Sequence, residues 1–135
     1  ENKPLTIVGN GNQKRDFLYV TDVANAFYKA ATTSLNGNIW NLGSGNPKSI
    51  NYLTKLLNSE KNVIHIPERP GEPKITHANI NKITNDLKWK PKVSFEKGVE
   101  NILENIEYWE NAPLWNKKNI SKETELWFKF MGKYR

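Results

Sequence analysis

Leu5-Thr6-Ile7-Val8-Gly9-Asn10-Gly11-Asn12, followed at once by Gln13-Lys14-Arg15-Asp16-Phe17-Leu18-Tyr19-Val20-Thr21-Asp22-Val23, decides how this chain is read. The first four residues are a short β-type run, and the Gly/Asn cluster behind them is a strong turn signal. Asp16–Val20 reads as a second extended segment. Asp22 can then cap a helix, its carboxylate accepting from the free amides of the first turn. Val23, Ala26, Phe27, Ala30 and Ala31 recur at i, i+3, i+4, i+7 and i+8, which places them on one apolar helical face. Asn36-Gly37-Asn38 ends that helix.

Working outward, Ile39-Trp40-Asn41-Leu42 reads as a buried strand that runs into Gly43-Ser44-Gly45. Ser49 can cap a helix carrying Ile50, Leu53, Leu56 and Leu57, and Val63–Ile66 reads as a strand stopped by Pro67. Glu68-Arg69-Pro70-Gly71-Glu72-Pro73 must be a loop, because two prolines and a glycine forbid regular structure. Asn79 is expected to cap a helix with Ile80, Ile83 and Leu87 inward. Ser94 is expected to cap the longest helix, whose face is Phe95, Val99, Ile102, Ile106 and Trp109. The tail holds Trp115 and a last amphipathic segment with Leu126, Trp127 and Phe130. Strands alternating with helices at this spacing predict an α/β fold.

The bulk numbers exclude several classes. The 135 residues suit one domain or part of a larger one, since domains run to roughly 100–200 residues. No apolar run approaches the roughly 18 residues that span a bilayer, so a membrane-spanning protein is not expected. Cysteine is absent, which removes disulfides, thiol catalysis and cysteine-held metals; with only His65 and His77, no metal site is expected. The beginning, ENKPLTIVG, has neither an initiator Met nor an apolar leader, and reads as a piece of a longer, cytoplasmic protein. The net charge of +6 could suggest nucleic acid. It comes from 17 Lys and only 3 Arg, spread along the chain beside 19 Asn, so a biased composition explains it better than a basic binding face. Arg, the bidentate reader of bases and phosphates, is scarce.

A catalytic set is not visible. A dinucleotide cradle needs a three-glycine fingerprint between strand and helix, and neither Gly9-x-Gly11 nor Gly43-x-Gly45 has a third glycine three residues on. No Ser stands near a usable His–Asp pair, and Glu100 and Glu104 read as a solvated helix face. The position four residues after Tyr19, Tyr28, Tyr52 and Tyr108 is Val23, Thr32, Leu56 and Ala112, never Lys. What stands out is the placement of two arginines: Arg15 after a strand and turn, Arg69 in a Pro/Gly loop just behind a strand. Two guanidinium forks can clamp a diphosphate; on the residues alone, two unrelated surface ion pairs remain the alternative.

Taken together, these segments resemble the extended short-chain dehydrogenase/reductase family of nucleotide-sugar epimerases and dehydratases. Residues 4–23 are similar to its G-x-G-x-Q-x-R-D-[FWY]-[ILV]-x-V-x-D segment, Asn41–Gly45 to its N-[ILV]-G-[SG]-G strand, and Arg69–Glu72 to its R-P-G-[DE] loop. Residues 78–91 are similar to A-D-I-S-K…L-G-W-x-P, with Asn79 for Asp and Lys88 for Gly. The likeness runs from residue 4 to about residue 109.

The resemblance implies an α/β fold representing the substrate-binding C-terminal part of an extended short-chain dehydrogenase, with residues 1–111 as the nucleotide-sugar portion and 112–135 as a helical extension. It implies base contacts from Thr6 and Val8, a diphosphate clamp from Arg15 and Arg69, a further hydrogen bond from Asn41, and a hydroxyl acceptor in Glu72. A strand-end backbone bond for Asn41 and a solvated Glu72 stay open beside these. No catalytic and no cofactor-binding residue is expected within the chain, because the Tyr-x-x-x-Lys pair and the NAD fingerprint belong to a missing Rossmann half. The helix near 22–35 and the strand at 39–42 would normally complete that half, leaving Phe27 and Trp40 exposed. The implied function is to bind a nucleotide sugar, a UDP-sugar before others, for NAD-dependent epimerisation at C4, in an enzyme expected to be a homodimer. The alternatives are a 4,6-dehydratase acting on a dTDP- or other NDP-hexose, and a non-catalytic nucleotide-binding module.

Overall fold

The computed structural model describes residues 3–59 and 61–132. The elements follow in the order β1 (Leu5–Val8), β2 (Lys14–Arg15), α1 (Val20–Thr32), β3 (Lys48–Ser49), α2 (Ile50–Leu56), β4 (Val63–Ile66), α3 (Asn81–Leu87), α4 (Phe95–Glu104), a 3-10 turn (Ile106–Trp109), α5 (Lys117–Glu123) and α6 (Glu125–Met131). They fall into two compact units. One is built from residues 1–13, 49–74 and 106–135, the other from residues 14–48 and 75–105.

In the first unit β1 and β4 pair in parallel, Leu5 with Val63, Thr6 with Ile64, Ile7 with His65 and Val8 with Ile66. The pleat alternates side chains between two faces, and Ile7 and Ile66 supply the buried positions. The Gly9 amide continues the ladder to the Ile66 carbonyl at 2.8 Å. Gly11 has φ +78°, and a Cβ there would fall inside the Asn51 side-chain amide. Only glycine fits, and the result is that Asn51 ties the turn to α2: its amide nitrogen donates to the Gly11 carbonyl, and its Nδ2 to Asn10 O and Asn12 Oδ1. Ser49 caps α2 as expected, accepting from the Tyr52 amide.

The second unit has a closed core of Ala26, Ile83, Leu87 and Trp89, with Leu18, Ala30, Trp40, Leu42 and Ile80 packed around it. Trp89 is 1% exposed and its Nε1 donates to the Asp22 carbonyl. Ser94 caps α4 as expected, through the Lys97 amide.

Several expectations are corrected. Residues 39–42 form no strand; Ile39 is 83% exposed while Leu42 and Trp40 turn onto the core. Among the described residues no strand lies alongside to satisfy the backbone of 39–42, so propensity alone cannot hold it extended. Trp40 is therefore half-buried rather than exposed, and its Nε1 donates to Asp86 Oδ2. Phe27, by contrast, is 66% exposed. The regular extended stretch is Lys14–Arg15 rather than 16–20. Asp22 is not the cap: α1 begins two residues earlier, behind Tyr19, and the Asp22 carboxylate accepts instead from the Lys92 and Val93 amides at 3.0 and 2.9 Å. The α1 helix also stops at Thr32, short of Asn36. Asn79 does not hold the cap position, which falls to Ile80, although its side chain accepts from the Asn81 amide. The Ser94 helix is not the longest, having 10 residues to the 13 of α1, and its expected face is only half used. Phe95 and Val99 pack, whereas Ile102, Ile106 and Trp109 are exposed.

Candidate functional site

The first unit brings four of the six candidate residues together. Thr6 and Val8 stand two apart on β1, hence on the same face of the strand. The end of β1 abuts the loop behind β4: a Cβ on Gly9 would lie 3.6 Å from Glu68 Cβ and Cγ. Arg69 is the next residue of that loop and is half-buried. A turn closes behind it, with the Glu72 amide donating to the Arg69 carbonyl at 3.3 Å and Gly71 at φ +75° between them. Pro70 is buried, and Glu72 is half-buried with its Oε2 shut off from solvent. One oxygen of the Glu72 carboxylate thus lies out of water. A guanidinium and a carboxylate three residues apart on one turn can offer paired donors to phosphate oxygens and an acceptor to a hydroxyl.

Arg15 and Asn41 lie in the second unit. Arg15 is half-buried on β2, with one guanidinium nitrogen donating to the Lys14 carbonyl at 2.8 Å. Asn41 is exposed in the irregular segment that replaces the expected strand.

Beside Arg15 sits a group that local sequence reasoning leaves without a role. The Asp16 carboxylate accepts from the Ser44 amide at 2.7 Å, the Ser44 hydroxyl at 2.5 Å, the Gly45 amide at 3.2 Å and the Ala78 amide at 2.9 Å. Its own amide donates to Thr76 Oγ1. Burial works to raise the pKa of this carboxyl, but the donors from Ser44, Ala78 and Gly45 outweigh it and hold it below the ordinary value of 3.8. A Cβ on Gly43 would meet this carboxylate and the Ala78 methyl, both at 2.5 Å, so glycine there is a packing requirement. Asp16 therefore fixes the loops on which Asn41 and the 75–78 segment depend. In the sequence Asp16 opens an expected extended segment and follows Arg15 in the family-like R-D pair, which gives its carboxylate no partner.

Neither glycine pair forms a dinucleotide cradle. Gly9-x-Gly11 leads into β2 and Gly43-x-Gly45 into β3, not into a helix N-terminus, so the described residues do not fit NAD. Among the described residues no cluster of three or more His, Asp or Glu could hold a metal, and no helix is long and apolar enough to cross a membrane. Glu100 pairs with Lys97 at 2.7 Å on an exposed face.

This fold and loop set match nucleotide-sugar enzymes. The family model of GDP-mannose 4,6-dehydratase matches residues 1–102. A CDP-paratose 2-epimerase from Salmonella typhi is 36% identical over 111 residues, covering 76% of this chain and 33% of that protein. A dTDP-glucose 4,6-dehydratase from Shigella flexneri is 33% identical over 116 residues, covering 77% of this chain and 32% of that protein. The crystal structure of UDP-glucuronic acid 4-epimerase from Bacillus cereus, in complex with UDP-glucuronic acid and NAD, superposes with a TM-score of 0.70 at 34% identity, over 79% of this chain and 36% of that one. The chain belongs to the GDP-mannose 4,6-dehydratase family, within the extended short-chain dehydrogenase/reductase epimerases and dehydratases of nucleotide sugars. It spans about a third of the length of the relatives it matches.

Proposed function

We propose that this chain holds the nucleotide diphosphate of a nucleotide sugar, a UDP-sugar before others, for an NAD-dependent epimerisation at C4. Its role is that of a C-terminal substrate portion, residues 1–111, followed by a helical extension over 112–135, with NAD and the acid/base pair supplied by a Rossmann half outside it. The observation that supports the reading is the turn behind β4, which carries Arg69 and Glu72 and whose Glu68 lies by the end of β1 at Gly9.

Each residue has a task that its chemistry suits. Arg69 directs a planar fork at a phosphate oxygen pair and Glu72 accepts from a ribose or sugar hydroxyl, while Arg15 and Asn41 offer donor chemistry of the same kind in their own unit. Thr6 and Val8 form the surface for the base. Anchoring the diphosphate in this way orients the sugar for a reaction whose acid and base come from elsewhere, and orientation of that kind lowers the barrier by replacing a chance encounter with a held geometry. A 4,6-dehydratase is the second reading, favoured by the 33% identity to dTDP-glucose 4,6-dehydratase. Both readings use the same anchor.

Arg69→Ala and Arg15→Ala should each weaken UDP-glucose binding by about 1.5–3 kcal/mol, the range for charge-assisted hydrogen bonds. Titration calorimetry on full-length protein checks this. Unchanged affinity in both variants, with circular dichroism intact, sinks the clamp.

A further inference from the structure

The family match ends at residue 102, well before α6, yet α6 reaches back to the loop that carries Arg69. Trp127 Nε1 donates to the Pro70 carbonyl at 2.7 Å across 57 residues of sequence. One turn later Met131 covers Gly71: a Cβ there would fall 2.8 Å from Met131 Cε, and the φ of +75° requires glycine in any case. A Cβ on the next residue, Gly132, would lie 4.0 Å from Pro70 Cγ. Three neighbouring positions at the chain's helical end thus bear on Pro70 and Gly71, the two residues standing between Arg69 and Glu72.

The loop needs such support. Its turn closes through the Glu72 amide on the Arg69 carbonyl, a long bond at 3.3 Å. Segments with few backbone bonds open easily. The part-buried Pro70 carbonyl finds its donor in the indole N–H of Trp127. The bond grips the backbone one residue from the Arg69 Cα.

We infer that α6 braces the Arg69–Glu72 loop, and that Trp127 is a positioning residue for the nucleotide diphosphate, acting through Arg69. This rests on the reading of Arg69 as a diphosphate ligand. The test uses full-length protein in four forms: Trp127→Phe, which keeps an aromatic ring but removes the N–H with part of the indole, Arg69→Ala, the double variant, and Met131→Ala. Two readouts are taken, UDP-glucose affinity by titration calorimetry and amide hydrogen exchange over residues 68–74.

Trp127→Phe should weaken UDP-glucose binding about two- to tenfold, the worth of one hydrogen bond, and speed exchange in the loop. The double variant should bind no more weakly than Arg69→Ala alone, since residues acting on one contact are not additive. Met131→Ala should show the same pattern to a smaller extent, and it carries the test should Trp127→Phe not fold. A normal loss in Arg69→Ala beside unchanged affinity and exchange in Trp127→Phe removes the brace and leaves the diphosphate reading standing. Additive losses in the double variant also overturn the brace. Unchanged binding in Arg69→Ala removes the diphosphate reading, and with it Trp127 as a ligand-positioning residue.

Discussion

The two units hold their loops by different means. In the unit of residues 14–48 and 75–105, two carboxylates act as hubs: Asp16 gathers four donors from Ser44, Gly45 and Ala78, and Asp22 gathers the amides of Lys92 and Val93. In the unit of residues 1–13, 49–74 and 106–135, the loop behind β4 takes a neutral indole donor from α6 on the Pro70 carbonyl and closes with a long bond from the Glu72 amide to the Arg69 carbonyl. Charge-assisted bonds are about twice as strong as neutral ones, so the first arrangement makes a fixed scaffold and the second a loop that yields. The contrast suits a binding protein. Segments that must adapt to a ligand are drawn from the low-stability end of a structure, and here the less tied loop is the one carrying Arg69 and Glu72.

Trp89 and Trp109, one from each unit, differ sharply in burial, and the largest predicted effect lies there. Trp89 is 1% exposed at the centre of its core, whereas Trp109 is 56% exposed. Trp89→Ala should cost about 3–5 kcal/mol as a large-to-small core change, and Trp109→Ala within about 0.5 kcal/mol, as for surface positions. Urea unfolding of the two variants measures both. Equal costs would break the comparison.

Asp16→Asn comes next. It should destabilise by about 1.5 kcal/mol, the low end for charge-assisted bonds because the side chain is only half-buried. The sign with pH follows from the depressed folded-state pKa: the stabilisation is fully present above the ordinary value of 3.8 and is lost as pH falls through the folded value. The wild type should therefore lose stability on acidification below about pH 4, and the Asn variant should show a flatter acid limb. A wild-type acid limb shared by the variant would show that Asp16 is not the hub.

The smallest effect concerns Lys88, which caps α3 in the left-handed region at φ 50°. A side chain there is strained by about 1 kcal/mol, and Lys88→Gly should stabilise by up to that amount, less the added freedom of the unfolded glycine. A lower melting temperature in this variant would mean that Lys88 makes a contact worth more than its strain.

The sequence carried the local features well. β1, β4 and the caps at Ser49 and Ser94 were legible because each rests on neighbouring residues: a β-branched run beside a turn, or a hydroxyl three residues before the amide it accepts from. The substitution of Lys88 for Gly in an otherwise recognisable segment likewise marked a position whose backbone favours glycine. Of the candidate site, the Arg69–Glu72 loop could be placed because two prolines and a glycine exclude regular structure. What escaped was long-range. Asp16 meets Ala78 across 62 residues and Asp22 meets Val93 across 71, so Asp16 read only as the start of an extended segment and Asp22 only as a helix cap. The strand expected at 39–42 failed for the same reason in reverse, since a strand requires a partner that its own residues cannot specify. Trp127 looked like one more apolar residue of an amphipathic tail.

The central claim is that the chain recognises a diphosphate rather than a nucleotide in general, and titration calorimetry with UDP-glucose, dTDP-glucose and UMP at two salt concentrations tests it most directly. The proposed diphosphate anchor predicts that UDP-glucose binds well above UMP, with only a shallow loss at higher salt. UMP binding as tightly as UDP-glucose, or an affinity that falls steeply with salt as it does when many phosphates are contacted, would contradict it.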